Sequence, residues 1–256
     1  MSPIEISLQS MNSNQLLKQY FGYDSFRPGQ EAIIKHILAG KDCLVLMPTG
    51  GGKSMCFQIP ALAMEGTAIV ISPLIALMKD QVDALKINGV AAAFLNSSQT
   101  SKEQQEVLSK LESGEIKLLY IAPERLSAQN NSLLQIFKNI KLSLFAIDES
   151  HCISHWGHDF RPDYLSLGKL KTLFPAVPVV ALTATADKQT RTDILQKLSI
   201  EEAEIFISSF NRPNLRYTVE SKDNHYGKLL EFLEDRKDES GIIYCLSRQN
   251  TEDLAE

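Results

Sequence analysis

The sequence predicts an α/β fold with a mainly parallel central sheet flanked by helices. Short β-rich runs alternate with segments of about ten residues that have helix-forming composition. The first run, Cys43–Met47, is apolar throughout, the pattern of a buried parallel strand. Each chemically suggestive stretch follows the end of such a run, and right-handed crossovers place all those ends along one ligand-binding edge.

In chain order, Glu31–Leu38 has helical apolar spacing at Ile33, Ile34, Ile37 and Leu38, with Gly40 ending it. Strands are expected at Cys43–Met47, Ala68–Ser72, Ala91–Leu95, Lys117–Ala122, Ser143–Asp148, Val179–Thr183 and Glu204–Ile207. Helices are expected from Gly52 to about Ala63 and at Ile75–Lys86, Lys102–Leu111, Ser132–Ile140 and Lys188–Leu198. Residues 1–207 form one expected domain and 208–214 a linker. Residues 215–256 then open another α/β unit, with strands Leu215–Glu220 and Gly241–Leu246 and helices Tyr226–Arg236 and Asn250–Glu256. Two strands and one complete helix cannot bury both faces of a sheet, so the chain is expected to be part of a longer protein.

Composition narrows the class. Of 256 residues, 44% are hydrophobic and 22% charged, the balance of a soluble globular protein. No apolar run reaches membrane-spanning length, and the N-terminus lacks a basic–apolar leader pattern. Cys43, Cys56, Cys152 and Cys245 form no close pair, which suggests a reducing cytoplasmic location. A net charge of −5 argues against holding nucleic acid by bulk basicity, yet leaves room for a local basic groove.

Met47-Pro48-Thr49-Gly50-Gly51-Gly52-Lys53-Ser54 follows the first strand and opens a helix. Such a turn cradles phosphate oxygens with backbone N–H groups, and the helix dipole favours the anion. Lys53 would reach the β and γ phosphates, and Ser54 would place its hydroxyl on Mg²⁺. Met47 stands where the usual pattern has its first glycine. Asp148 and Glu149 end the apolar run Leu144–Ile147. Beside a phosphate loop, the first acid is expected to hold Mg²⁺ and the second to orient or deprotonate the attacking water. Thr183 and Thr185 end a third strand; they read as a polar sensor, or Thr185 or Asp187 as the cap of the next helix.

Tyr23-Asp24-Ser25-Phe26-Arg27-Pro28-Gly29-Gln30 precedes the first expected helix. The Gln30 amide has the geometry that pairs with adenine, and Tyr23 or Arg27 could stack on the ring; the stretch also reads as a plain helix cap. In residues 151–162, Cys152, His155 and His158 resemble a zinc spacing without a fourth ligand, and nothing completes a thiol nucleophile at Cys152. The mix of His151, Trp156, His158, Phe160 and Arg161 suits unpaired bases and phosphates better.

Together these residues resemble the RecQ family of superfamily 2 DNA helicases. Met47–Ser54 is similar to that family's motif I, including the missing glycine, and Phe26–Gln30 to its adenine-recognising motif 0. Ser72-Pro73-Leu74-Ile75-Ala76-Leu77-Met78-Lys79-Asp80-Gln81 resembles motif Ia, and Tyr120–Leu126 the next DNA-contact motif. Asp148-Glu149-Ser150-His151 resembles the DEAH box, with Ser150 where Ala is usual. Trp156–Pro162 resembles the aromatic-rich loop after it, with His155 where Gln is common. The resemblance implies a RecA-like P-loop NTPase lobe and the truncated start of a second. It implies an ATP- and Mg²⁺-dependent 3′-to-5′ helicase in DNA repair and recombination, acting on single-stranded and duplex DNA. Ser72, Pro73, Leu74, Thr183 and Thr185 would join the aromatic loop in DNA contact and coupling. Arginine fingers, a zinc module and contacts to single-stranded-DNA-binding protein would lie beyond Glu256; in a bacterium the protein would be nucleoid-associated. The competing readings are a DEAD-box-like RNA helicase and a non-hydrolysing nucleotide-dependent DNA-binding module.

Overall fold

The structure, a computed structural model, describes residues 12–126, 132–157, 159–209 and 215–255. It contains two compact units, Met1–Asn211 and Arg212–Glu256.

The first unit is built on a seven-stranded parallel sheet. Its strands are β1 (Cys43–Leu46), β2 (Thr67–Ile71), β3 (Ala92–Leu95), β4 (Leu118–Ile121), β5 (Leu142–Ile147), β6 (Val179–Thr183) and β7 (Glu204–Ile207), in spatial order β3-β4-β2-β5-β6-β1-β7. Each strand expected between Cys43 and Ile207 forms, with its ends displaced by a residue at most. The helices are α1 (Ser13–Phe21), α2 (Gln30–Leu38), α3 (Lys53–Ala63), α4 (Ile75–Ile87), α5 (Ser101–Glu112), α6 (Ser132–Asn139), α7 (Lys169–Leu173) and α8 (Lys188–Lys197).

The inner strands are buried on both faces because alternate side chains enter different cores. Val45, Val70, Tyr120, Ala146 and Leu182 pack with residues of α1–α4. Leu44, Ile71, Phe145 and Ala181 pack on the opposite face with residues of α5–α8.

Helix α1 was not expected, although its signal is in the sequence. Asn12 and Gln15 form a reciprocal capping box with both bonds at 2.9 Å, and Gly22 ends the helix at φ 74°. Leu16 and Leu17 anchor it in the core.

The second unit departs from expectation. It holds helices α9 (His225–Glu234) and α10 (Arg248–Ala255), but Leu215–Glu220 and Gly241–Leu246 form no strands among the described residues. Tyr217, Val219, Tyr244 and Leu246 are all at least 84% exposed. Strand propensity there is real, but a ladder needs partners and a buried face, and this stretch supplies neither.

Candidate functional site

Strands β5, β6 and β1 are neighbours, with Leu46 in register with Thr183 and Ile147 with Ala181. Their C-terminal ends therefore deliver Asp148–His151, Thr183–Thr185 and Met47–Ser54 to one sheet edge.

Glycine is required in the phosphate loop by geometry. Gly50 and Gly52 have φ of 75° and 85°, and a Cβ on Gly51 would lie 2.8 Å from the Pro48 carbonyl. Lys53 opens α3 and donates to the Met47 carbonyl at 3.2 Å. Thr49, Gly50 and Ser54 are at least partly exposed. Met47 differs: its side chain is buried, 3.7 Å from the Cys56 thiol, so only its backbone faces the loop. That explains how a residue other than glycine fits there.

The segment before α2 is fastened to this loop. Arg27 donates its guanidinium to the Gly50 carbonyl. The Gln30 amide accepts from the Arg27 N–H at 2.8 Å and donates to the Gly52 carbonyl at 2.9 Å. No side chain caps α2; Arg27 and Gln30 bond the phosphate-loop backbone instead. Tyr23, Arg27, Gln30, Gly52 and Ser54 line one cavity of about 250 Å³, with Leu17 of α1 forming part of its wall. Tyr23 is 55% exposed and available for stacking, whereas Gln30 is buried and spends one of its two amide N–H groups on the Gly52 carbonyl.

Asp148 lies just past β5, with its N–H on the Ile71 carbonyl at 2.8 Å. Burial, then the neighbouring Glu149 carboxylate, raise its pKa to about 6; Lys53 and His151 oppose the shift. A buried carboxylate held above its ordinary range fits a cation. Mg²⁺ suits this donor set, since it uses one or two carboxylates plus phosphates and water. Proton and metal would compete for Asp148, so the Mg²⁺ enhancement of ADP affinity should fall below pH 6 by about tenfold per pH unit. Calorimetric titrations at neutral and acid pH, with EDTA as reference, check this; a pH-independent enhancement would oppose it. The folded-state pKa lies above 3.8, so folding favours the protonated acid. The stability it contributes is complete below about pH 4 and is lost as pH rises through 6.

Glu149 has a left-handed backbone, φ 47°, that turns the chain out of the strand and lets two adjacent acids border one site. Its Oε2 lies 3.3 Å from His151 Nδ1. His151 is buried, with Nδ1 2.8 Å from Thr183 Oγ1; that hydroxyl also donates to the Thr185 carbonyl at 3.1 Å and accepts the Thr185 N–H. With the hydroxyl proton so used, His151 Nδ1 is the donor. Thr183 thus links the acidic box to β6. Asp187, not Thr185, caps α8, accepting the Thr190 N–H at 2.7 Å. Ser150 Oγ is buried without a hydrogen-bond partner. Ser150→Ala is therefore expected to stabilise the chain by about 1 kcal/mol, read as a higher denaturation midpoint at unchanged slope.

Beyond the box, the aromatic residues separate into two kinds. Trp156 is 66% exposed beside a groove formed with Lys188, Gln189 and Thr192 of α8, so it is not a core anchor. Phe160 is half-buried against His155, ring centroids 3.7 Å apart. Arg161 donates to Asp159 at 2.9 and 3.1 Å and to the Pro73 carbonyl at 3.1 Å. It is a strut between the aromatic loop and Ser72-Pro73-Leu74, where Ser72 is buried and Leu74 exposed. His158 lies outside the described residues. Cys152 is buried and its thiol is pushed up to about 12, chiefly by burial, which disfavours a nucleophile. Among the described residues no cluster of His, Cys, Asp and Glu is arranged for a metal of the zinc type.

Residues 27–194, the span holding all three loops, match the family model described as DEAD/DEAH box helicase. The chain belongs to the DEAD/DEAH box helicase family. Within that family it is 54% identical over 241 residues to the ATP-dependent DNA helicase RecQ of Haemophilus influenzae, an alignment covering 94% of this chain and 39% of that protein. It is 44% identical to RecQ of Bacillus subtilis, covering 95% and 41%. The chain thus spans about two fifths of the length of these relatives. Among solved structures, the DUF1998 helicase MrfA aligns with a TM-score of 0.65 at 17% identity, over 96% of this chain and 40% of that one. The DEAD-box helicase Mss116 bound to ssRNA and UDP-BeF aligns with 0.62 at 15%, over 91% and 51%. These likenesses are of fold, a RecA-like helicase lobe. No helix among the described residues is long and apolar enough to cross a membrane.

Proposed function

We propose that the first unit is the nucleotide-binding motor lobe of a RecQ-type ATP-dependent DNA helicase, and that residues 215–256 begin the second lobe. The observation that carries this is the convergence of the phosphate loop, the buried carboxylate and a Trp-bearing loop at one sheet edge. The 54% identity to a protein named an ATP-dependent DNA helicase supports the DNA reading over the RNA one. The 3′-to-5′ polarity and a repair or recombination setting rest on the resemblance alone.

In this reading Lys53 and the loop amides bind the ATP phosphates, Tyr23 and Arg27 border the base, and Ser54 and Asp148 hold Mg²⁺. Bound Mg²⁺ would supply charge neutralisation at the phosphates. Glu149 accepts the proton of the attacking water, and His151 and Thr183 hold the acidic box in place. Arginines from a second lobe would oppose charge developing on the γ-phosphate, an effect worth about 10³–10⁵ in rate in related NTPases. This chain by itself is accordingly expected to hydrolyse ATP slowly.

Trp156 would stack on an unpaired base, and Arg161 would pass its displacement to Pro73. Trp156→Ala should cost roughly 1–3 kcal/mol per base stacked. In the full-length protein, DNA-stimulated ATPase should drop while nucleotide affinity without DNA is kept. Because Trp156 is exposed, the melting temperature should stay near that of the wild type; a large fall with loss of every activity would contradict the stacking role. Comparing stimulation by single-stranded DNA and RNA decides between the two substrates.

A further inference from the structure

Strand β5 ends at Ile147 and Glu149 turns into the left-handed region, so the Asp148 carbonyl leaves the sheet. Its partner comes from sixteen residues along the chain: Tyr164 Oη donates to Asp148 O at 2.9 Å, in a buried setting. Tyr164 is fully buried, and burial holds its phenol well above its ordinary pKa, so it remains a donor. Tyr164 N–H in turn donates to the Arg161 carbonyl at 3.0 Å, and Arg161 N–H to the Cys152 carbonyl at 2.9 Å. The loop that carries Trp156 is thus closed by the Arg161–Cys152 backbone bond, and the Tyr164 hydroxyl joins that closure to the backbone of Asp148.

We propose that Tyr164 is the positioning residue through which the Asp148 carboxylate and the Trp156-bearing loop respond to one another. This rests on the nucleotide reading above. Tyr164 touches neither nucleotide nor nucleic acid in this scheme; it acts through the Asp148 backbone. The tie of the acidic box to β6, from His151 to Thr183, is separate and would survive a change at Tyr164.

The chain has a single tryptophan, so its emission reports on this loop. In the wild-type chain, Mg²⁺ with ADP should change Trp156 emission, and ADP in EDTA should not. Tyr164→Phe keeps the ring and removes only the hydroxyl. The variant should bind ADP in EDTA as the wild type does, while the Mg²⁺ enhancement falls about tenfold and the emission change is lost. A variant that keeps both the enhancement and the emission change overturns the proposal. So does one that loses ADP affinity equally with and without Mg²⁺, the mark of a structural strut. A wild-type emission indifferent to Mg²⁺ and ADP, when calorimetry shows both bound, overturns it without recourse to a variant. A wild-type chain that binds no ADP instead defeats the nucleotide reading, and the proposal with it.

Discussion

Glu149→Gln in the full-length protein is expected to lower DNA-stimulated ATP turnover by about 10²–10⁴-fold, the usual worth of a positioned general base. The substitution keeps the side chain's volume and removes its ability to take a proton. The backbone at φ 47° is as tolerable for glutamine as for glutamate, so the turn out of β5 should persist. Nucleotide binding should survive, and for a specific reason. The Glu149 charge is one of the causes that raise the Asp148 pKa. Its removal makes Asp148 easier to ionise but also takes one negative charge from beside the cation; these oppose, and Mg²⁺ affinity should change little. Single-turnover kinetics and calorimetric ATP titration on the same preparation separate the two effects. Turnover within a few-fold of wild type would remove Glu149 from the chemistry.

Lys53→Ala is expected to weaken ADP and ATP binding by about 10–100-fold, since a hydrogen bond to a charged group contributes about 1.5–3 kcal/mol. The lysine is at the first position of α3, partly exposed, and among the described residues its side chain donates one hydrogen bond, to the Met47 carbonyl, so the fold should hold. A second consequence follows from its neighbour. Lys53 opposes the rise in the Asp148 pKa, so without it the pH at which Mg²⁺ binding fails should move upward. Unchanged nucleotide affinity in calorimetry, with an unchanged melting temperature, would remove the phosphate-loop assignment.

The sheet and the placement of the loops were legible because apolar runs of strand length punctuated by glycine leave few alternatives. The second unit misled because Tyr217, Ile242 and Tyr244 have strand propensity, and propensity does not supply a partner strand. In the site, residue type gave the chemistry but not the contacts. Phe160 and Trp156 look equivalent in sequence, yet only Trp156 presents a largely free ring; Phe160 is taken by His155. Arg161 reads as a phosphate contact and turns out to bridge Asp159 and Pro73. Tyr164 gives no signal at all, because a lone tyrosine in a mixed polar and apolar stretch points to no partner and only the three-dimensional path brings its hydroxyl to Asp148.

The strand that carries the phosphate loop has both of its neighbours far downstream: Cys43 pairs with Val180 on one side and Glu204 on the other. During synthesis, β1 and its glycine-rich turn leave the ribosome long before either flanking strand exists. Non-local parallel pairing is slow to form, since loop closure precedes its reward. The nucleotide site is therefore among the last features this lobe completes. ATP cannot act as an early template for its folding, and until β6 and β7 are made the backbone N–H and C=O groups along both edges of β1 lack their native partners.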